Sequence, residues 1–314
     1  MTLSRTISRF AELFPAPLAF PAGPSGLVLA APAKLNLFLE IRRRRPDGYH
    51  DLESLMVAID LFDTLEFHAT TTAELTVQCD CPALSVGVEN LVWRAAHALR
   101  QGVNRPDLGA SIRLSKRIPM QAGLGGGSSD AATTLVGLNA LWKLGLTRRE
   151  LLAMAASIGS DVAFFLTLPA AWCTGRGEVV TEEASTGQFH FVLVCPPVGL
   201  GTAEVYQRLV VPAEPISGAA VRAAFRAGDS ESLGRVIFNR LEEPAFALQP
   251  LVERIRRRLD RLGSLGVQMS GSGSAVFALC RDATHAAQVA ARFRATCPAD
   301  EPPSRVLVVR SLTP

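Results

Sequence analysis

The chain has 314 residues, 48% of them hydrophobic and 19% charged, which excludes global disorder and leaves room for two domains of ordinary size. Lys plus Arg number 32 and Asp plus Glu 29, and a formal net charge of +3 gives no electrostatic case for a dedicated nucleic-acid binder. The dispersed cysteines, Cys79, Cys81, Cys173, Cys195, Cys280 and Cys297, read as mostly reduced core thiols of a cytosolic protein, and Cys79-Asp80-Cys81 lacks the second Cys or His cluster that a structural zinc needs.

Residues 1–24, broken by Pro15, Pro17, Pro21 and Pro24, read as a disordered extension, with a short targeting peptide as the alternative. Leu27 to Ile41 predicts strands with a turn near Pro32, and Asp51–Ile59, Thr64–Ala69 and Glu74–Cys79 predict further strands. Asn90 to Leu99 has helical spacing, and Ser111 to Ile118 reads as a strand. A glycine-rich loop, Gly123 to Gly127, then precedes an alanine-rich helix from Asp130 to Lys143, and Thr147 with Glu150 forms a capping box for the next helix. Leu151 to Trp172 is long and apolar, but Asp161 in its middle argues against a membrane span. From Phe189 onward a buried strand, Phe191–Cys195, stops at Pro196-Pro197, and helical patterns fill 202–261 with a basic stretch at Arg254 to Arg261. A second loop, Ser270 to Ser274, leads into the strand Ala275–Leu279, and a helix, Ala283–Arg294, and a strand, Arg305–Val309, complete an α+β order.

Several constellations carry chemistry. In Pro119-Met120-Gln121-Ala122-Gly123-Leu124-Gly125-Gly126-Gly127-Ser128-Ser129 the glycines free backbone N–H groups to turn inward, and the helix behind adds unpaired donors and partial positive charge. An anion such as phosphate suits that place, with Ser128 and Ser129 as hydroxyl donors or a magnesium contact. It is not a P-loop, which needs G-x-x-x-x-G-K-[ST], and G-x-G-x-x-G fails because Ser128 stands where glycine is required. Lys34 in Ala33-Lys34-Leu35-Asn36-Leu37 sits in an apolar strand run, so it either snorkels to water or meets an anion. Asp161, ahead of Val162, Ala163, Phe164 and Phe165, is either a partly desolvated carboxylate needing a cation or the N-cap of a short helix. Asp47-Gly48 is a turn that displays Tyr49 and His50, and Arg42 to Arg45 before it form either a solvated face or an anion site. Gly271, Ser272 and Gly273, in the second loop, could approach a substrate phosphate or simply turn a strand.

Taken together, Pro-Ala-Lys-Leu-Asn-Leu, Asp-Gly-Tyr-His, Gly-Leu-Gly-Gly-Gly-Ser-Ser-Asp-Ala-Ala, Gly-Ser-Asp-Val and Gly-Ser-Gly-Ser make a set, in order over residues 27 to 310, that resembles the GHMP small-molecule kinases. Within them it is most similar to the branch that phosphorylates a cytidine diphosphate ester of methylerythritol in the non-mevalonate isoprenoid route. The resemblance implies a ribosomal-protein-S5-like ATP-binding domain over 25–185, a ferredoxin-like domain over 186–314, and an active site in the cleft between them. It implies ATP with Mg²⁺, Asp161 as base, Lys34 beside it, the loop Pro119 to Ser129 around the triphosphate and Asn90 near the nucleotide base. On the substrate side it implies Asn36 toward the erythritol end, Tyr49 and Tyr206 on the two faces of the cytosine, His50 at its edge, and Thr202 with Gly271, Ser272 and Gly273 nearby. Gln121, where the family has a small residue, and Ala163, where it has proline, depart from the pattern. A homoserine- or mevalonate-type kinase and a non-catalytic ATP- and metabolite-binding sensor are the alternatives, and retention of both Lys34 and Asp161 argues against the sensor. A cytoplasmic monomer or homodimer, without nucleic-acid or membrane partners, is expected.

Overall fold

The structure, a computed structural model, describes residues 19–21 and 26–313. In the first half the elements run β1 (Ala19–Pro21), β2 (Gly26–Arg44), β3 (His50–Thr70), β4 (Leu75–Cys79), α1 (Leu91–Gly102), β5 (Gly109–Ser115), α2 (Gly126–Leu141), α3 (Arg148–Ile158), α4 (Val162–Phe165), β6 (Ala170–Thr174) and β7 (Val179–Glu182). The extension expected over 1–24 falls outside the described residues except for β1, which is not disordered: its Ala19 pairs antiparallel with Leu29 of β2.

The turn expected near Pro32 is instead a register shift inside one continuous strand of 19 residues, between Pro32 and Ala33. Proline has no N–H to give the ladder, and a bulge accommodates that without ending the strand. The two strands expected over 51–69 are likewise one, β3, paired along its length with β2. The stretch 151–172 is the helix α3, the short α4 and the start of β6, a buried layer of the fold; no helix among the described residues is long and apolar enough to cross a membrane. The capping box holds as read, Thr147 accepting from the Glu150 N–H while Glu150 accepts from that of Thr147. Helices α1 and α2 cover one face of the sheet, α1 burying Val92, Ala95, Ala96 and Leu99, a 3.6-period stripe.

In the second half the elements are β8 (His190–Cys195), α5 (Thr202–Gln207), α6 (Ala219–Arg226), α7 (Ser230–Val236), β9 (Phe238–Asn239), α8 (Glu242–Leu248), α9 (Pro250–Asp260), β10 (Gly266–Met269), β11 (Val276–Cys280), α10 (Ala283–Ala295) and β12 (Arg305–Arg310). β8, β10, β11 and β12 form an antiparallel sheet in the order β10-β11-β8-β12, the split βαβ arrangement. β9 leaves that sheet and pairs in parallel with Phe38 and Leu39 of β2. Beside it Glu40, fully buried, takes a two-point ion pair from Arg240, Nε to Oε1 at 2.8 Å and Nη2 to Oε2 at 2.7 Å, and its oxygens also accept the Ile41 and Ile216 N–H groups. A buried carboxylate satisfied this fully fixes the second half against β2, the strand that carries Lys34. All six cysteines are free thiols, those at 173, 195 and 280 buried and those at 79, 81 and 297 half-buried.

Candidate active site

Lys34 lies mid-way along β2, paired with Ala58 of β3, and only 3% of it is exposed. Burial pulls its ammonium below the ordinary lysine value and Asp161 pulls it partly back. Its Nζ stands 3.7 Å from Asp161 Oδ2 and donates to Asn36 Oδ1. Asn36 Nδ2 in turn donates to Ser54 Oγ at 2.8 Å, and Ser54 Oγ to the Phe38 carbonyl at 2.7 Å. This chain of bonds gives Lys34 one orientation and leaves its remaining donors toward Asp161.

Asp161 occupies the residue before α4, yet its side chain makes no capping hydrogen bond. The plain N-cap reading therefore fails, and the carboxylate, a third exposed, is left facing the lysine. The tight turn after β6 lies alongside, since a Cβ on Gly177 would stand 3.7 Å from Asp161 Oδ1.

The glycine-rich loop runs against both. The Lys34 N–H donates to the Leu124 carbonyl at 3.0 Å, the Ala275 N–H to Ala122 at 3.1 Å, and Ser270 Oγ to the Gly123 carbonyl at 3.0 Å while accepting from the Asn36 N–H at 3.4 Å. The second loop is thus stitched to the first and to β2, and Asn239 holds it from behind through the Met269 and Gly271 carbonyls at 2.7 and 2.8 Å. A Cβ on Gly271 would stand 3.0 Å from Lys34 Nζ, and Thr202 Oγ1 meets Ser272 Oγ at 2.9 Å, so the second loop lies against Lys34 on one side and α5 on the other, while Gly273 turns toward Met269 and Leu200. Helix α2 starts at Gly126, earlier than the expected Asp130, so the last glycines are its first turn and their N–H groups are the unpaired helix donors.

Two glycines are required here. Gly123, at φ +73°, would put a Cβ 1.9 Å from the Ser270 carbonyl oxygen; Gly125, at φ +70°, would put one 2.9 Å from Phe165 and 3.0 Å from Lys34 Cγ. Gly125→Val is therefore expected to displace the Lys34 stem as well as the loop, raising the KM for ATP, the ligand the resemblance implies, about tenfold or more and lowering kcat with it. Steady-state kinetics in both substrates checks this, and a rise in the ATP KM with an unchanged kcat would separate the loop from Lys34. Gln121 is a non-glycine residue at φ +51°, with its amide against Gly199. Gln121→Gly relieves that backbone conformation and is expected to leave turnover within about twofold of wild type, by the same assay.

The hairpin turn between β2 and β3 presents Tyr49, 53% exposed, under the Arg176 guanidinium at 4.8 Å from its ring centre. Tyr206, on α5, packs its ring against His50 at 5.3 Å and 38° and leans into the core of the second half. Burial, with Arg44 nearby, pulls His50 below its ordinary value, so the ring is neutral near pH 7 and can donate and accept. Asn90, expected near the nucleotide base, caps α1, its Oδ1 accepting from the Val92 N–H at 2.8 Å and its Nδ2 donating to the Ser85 carbonyl at 2.6 Å. Of the arginine run, Arg42 pairs with Glu53, Arg43 with Asp51, and Arg45 with Asp47 and Asp51, so most of its charge is matched on β3 and the turn. Arg176 carries no signal in the sequence: nothing in Thr174-Gly175-Arg176-Gly177 distinguishes it until the β6–β7 turn brings it over Tyr49.

Among the described residues no three His, Cys, Asp or Glu side chains gather as a metal cluster. Ser128, whose Oγ lies 3.8 Å from the Cβ position of Gly159 near Asp161, and Ser129, whose buried Oγ has no partner among the described residues, are the hydroxyls at hand.

Residues 90–167 match the family model for the N-terminal domain of GHMP kinases, and residues 221–299 that for their C-terminal domain. The 4-diphosphocytidyl-2-C-methyl-D-erythritol kinase of Pelotomaculum thermopropionicum is 42% identical over 289 residues, 90% of this chain and 97% of that one. The enzyme of the same name from Shouchella clausii is 38% identical over 270 residues, 86% of this chain and 91% of that one. A solved 4-(cytidine 5'-diphospho)-2C-methyl-D-erythritol kinase superposes with a TM-score of 0.73 at 35% identity, over 90% of this chain and 98% of that one. A homoserine kinase from Cytophaga hutchinsonii reaches a TM-score of 0.75 at 19% identity, over 94% of this chain and 96% of that one, a likeness of fold.

Proposed function

This chain belongs to the GHMP kinases, and from that premise we propose the site in which it works. Its reaction is the ATP-dependent phosphorylation of 4-diphosphocytidyl-2-C-methyl-D-erythritol at the 2-hydroxyl, a step toward isoprenoid precursors. The site lies where domains 25–185 and 186–314 meet. Asp161 takes the hydroxyl proton as the oxygen attacks the γ-phosphorus. Lys34 keeps Asp161 ionised and faces the negative charge on the transferring group. The loop Pro119 to Ser129 receives the triphosphate on its backbone N–H groups, and Tyr49, His50 and Tyr206 receive the cytosine. Ser128 and Ser129 are the hydroxyls that would hold Mg²⁺, which, when bound, would supply charge neutralisation at the phosphates. Most of the rate comes from position and electrostatics rather than from covalent chemistry.

The observation that carries this reading is the Asp161 carboxylate, uncapped and 3.7 Å from a buried lysine, beside a loop of backbone donors. The matched charges of the arginine run support a small-molecule site over a nucleic-acid surface, and the free thiols are compatible with a reducing, cytoplasmic setting. The test is phosphorylation from ATP of a panel holding the cytidine diphosphate ester, mevalonate and homoserine. Turnover confined to the cytidine ester is the expected result. Faster turnover of mevalonate or homoserine would remove the cytosine assignment of Tyr49, His50 and Tyr206.

A further inference from the structure

Behind the glycine loop lies a second charged group that the reaction does not use. Lys116, at the exit of β5, has a side chain 7% exposed and sits between two carboxylates, Asp63 of β3, fully buried, and Asp130 of α2, 2% exposed. Its Nζ donates to Asp130 Oδ2 at 2.7 Å and to Asp63 Oδ2. Asp63 Oδ1 accepts the backbone N–H of Ile118 at 2.9 Å and that of Arg117. A Cβ on Gly126 would stand 3.3 Å from Lys116 Nζ, so the ammonium lies directly against the first turn of α2.

These contacts share one geometrical consequence. Arg117 and Ile118 are the strand-side stem of the loop, and Asp130 is on its helix-side stem. Asp63 grips one stem by its backbone and Lys116 joins that grip to the other stem. Burying three charges is costly, and apolar residues of similar volume would hold a core as well. A buried ionic group is justified here by the register it fixes, since loop donors set about an ångström off lose much of their hold on phosphate.

We propose that Asp63, Lys116 and Asp130 form a clasp that sets the spacing of the two stems of the glycine loop, and that Asp130 is thereby a positioning residue for the nucleotide phosphates without touching them. This rests on the reading of that loop as the ATP site. Two carboxylates for one ammonium leave a surplus negative charge, and burial, with Asp63 alongside, pushes the Asp130 carboxyl well above the ordinary aspartate range. Asparagine at 130 keeps the shape of the side chain without that surplus charge and still offers Lys116 an acceptor. Alanine removes the tie but leaves Asp63 and Lys116 as a balanced pair.

The experiment compares full-length wild type, Asp130→Ala and Asp130→Asn by calorimetric titration with ATP and by kinetics in both substrates. Asp130→Ala is expected to raise the Kd and KM for ATP about tenfold or more, with kcat within about threefold and the KM for the cytidine ester within about twofold. Asp130→Asn is expected to restore ATP binding to within about threefold of wild type, a rescue that loss of general stability would not give. Unchanged ATP binding in Asp130→Ala, equal weakening of both substrates, or failure of asparagine to rescue would each overturn the clasp. Should Asp130→Ala fail to fold, Lys116→Arg, which keeps the charge but alters the reach, must show the same split between ATP and the ester. Wild type that binds no ATP would instead overturn the assignment of the loop itself.

Discussion

Asp161→Asn is expected to lower kcat by about 10²–10⁴-fold while leaving the KM for both substrates within about threefold, measured by coupled steady-state assay. Asparagine keeps the shape and the space beside Lys34 but cannot take a proton. The carboxylate makes no capping hydrogen bond and is a third exposed, so its one structural duty is as countercharge to the buried Lys34. The melting temperature should therefore fall by a few degrees, a stability effect that kcat measured well below the transition does not share. Lys34→Met removes the cation 3.7 Å away and should fall by a similar factor in kcat. It also frees Asn36, which bonds Lys34 on one side and Ser54 on the other, so some loss of the cytidine-ester KM is expected with it. The double variant should lose much less than the product of the two factors, because a base held ionised and its holder act as a unit. Turnover of Asp161→Asn within about threefold of wild type would make Asp161 a bystander and leave positioning alone to carry the rate.

Those residues were legible because the chemistry is written in contiguous motifs. Gly123 to Ser129 and Gly159-Ser160-Asp161 each bring their own backbone with them, and a strand lysine among apolar residues announces a partner. What was not legible came from long-range contact. Pro32 reads as a break, yet β3 on one side and β1 further up hold β2 together across a bulge. The glycines at 126 and 127 read as loop on propensity, but packing of α2 against α1 and the sheet makes them helical. The start of β6 falls inside the apolar run 151–172, whose period cannot separate helix from buried strand, and β7, four residues with a mostly exposed face, carries no apolar alternation to announce it. Lys116 shares the face of Ile112 and Leu114 on its strand, but nothing in the sequence names its partners, and only the approach of β3 and α2 places it between Asp63 and Asp130. Arg176 gained its place over Tyr49 by the same kind of closure.

Tyr206→Ala is expected to raise the KM for the cytidine ester by about five- to a hundredfold and to leave the KM for ATP nearly unchanged, because base–aromatic stacking contributes about 1–3 kcal/mol per ring. The structure alters what accompanies that loss. Tyr206 is half-buried, its ring rests on His50 at 5.3 Å, and its phenol is pushed up by burial, so the side chain is part wall and part core. Truncation should then also lower the melting temperature by several degrees and let His50 turn from the cytosine edge, rather than behaving as an exposed contact would. Tyr206→Phe separates the two effects: the ring and its packing stay, so both the KM and the melting temperature should remain close to wild type. Tyr49 gives the complementary control. It is 53% exposed and its one described partner on the ring face is Arg176, so Tyr49→Ala should raise the KM for the ester with almost no change in melting temperature. Arg176 covers a face that the cytosine would need, so stacking there requires the guanidinium to swing aside, and Arg176→Ala should lower the KM for the ester if it obstructs and raise it if the cation instead meets the diphosphate. A Tyr206→Ala variant with a lower melting temperature but an unchanged KM for the ester would make that ring purely structural and leave cytosine recognition to Tyr49 and His50.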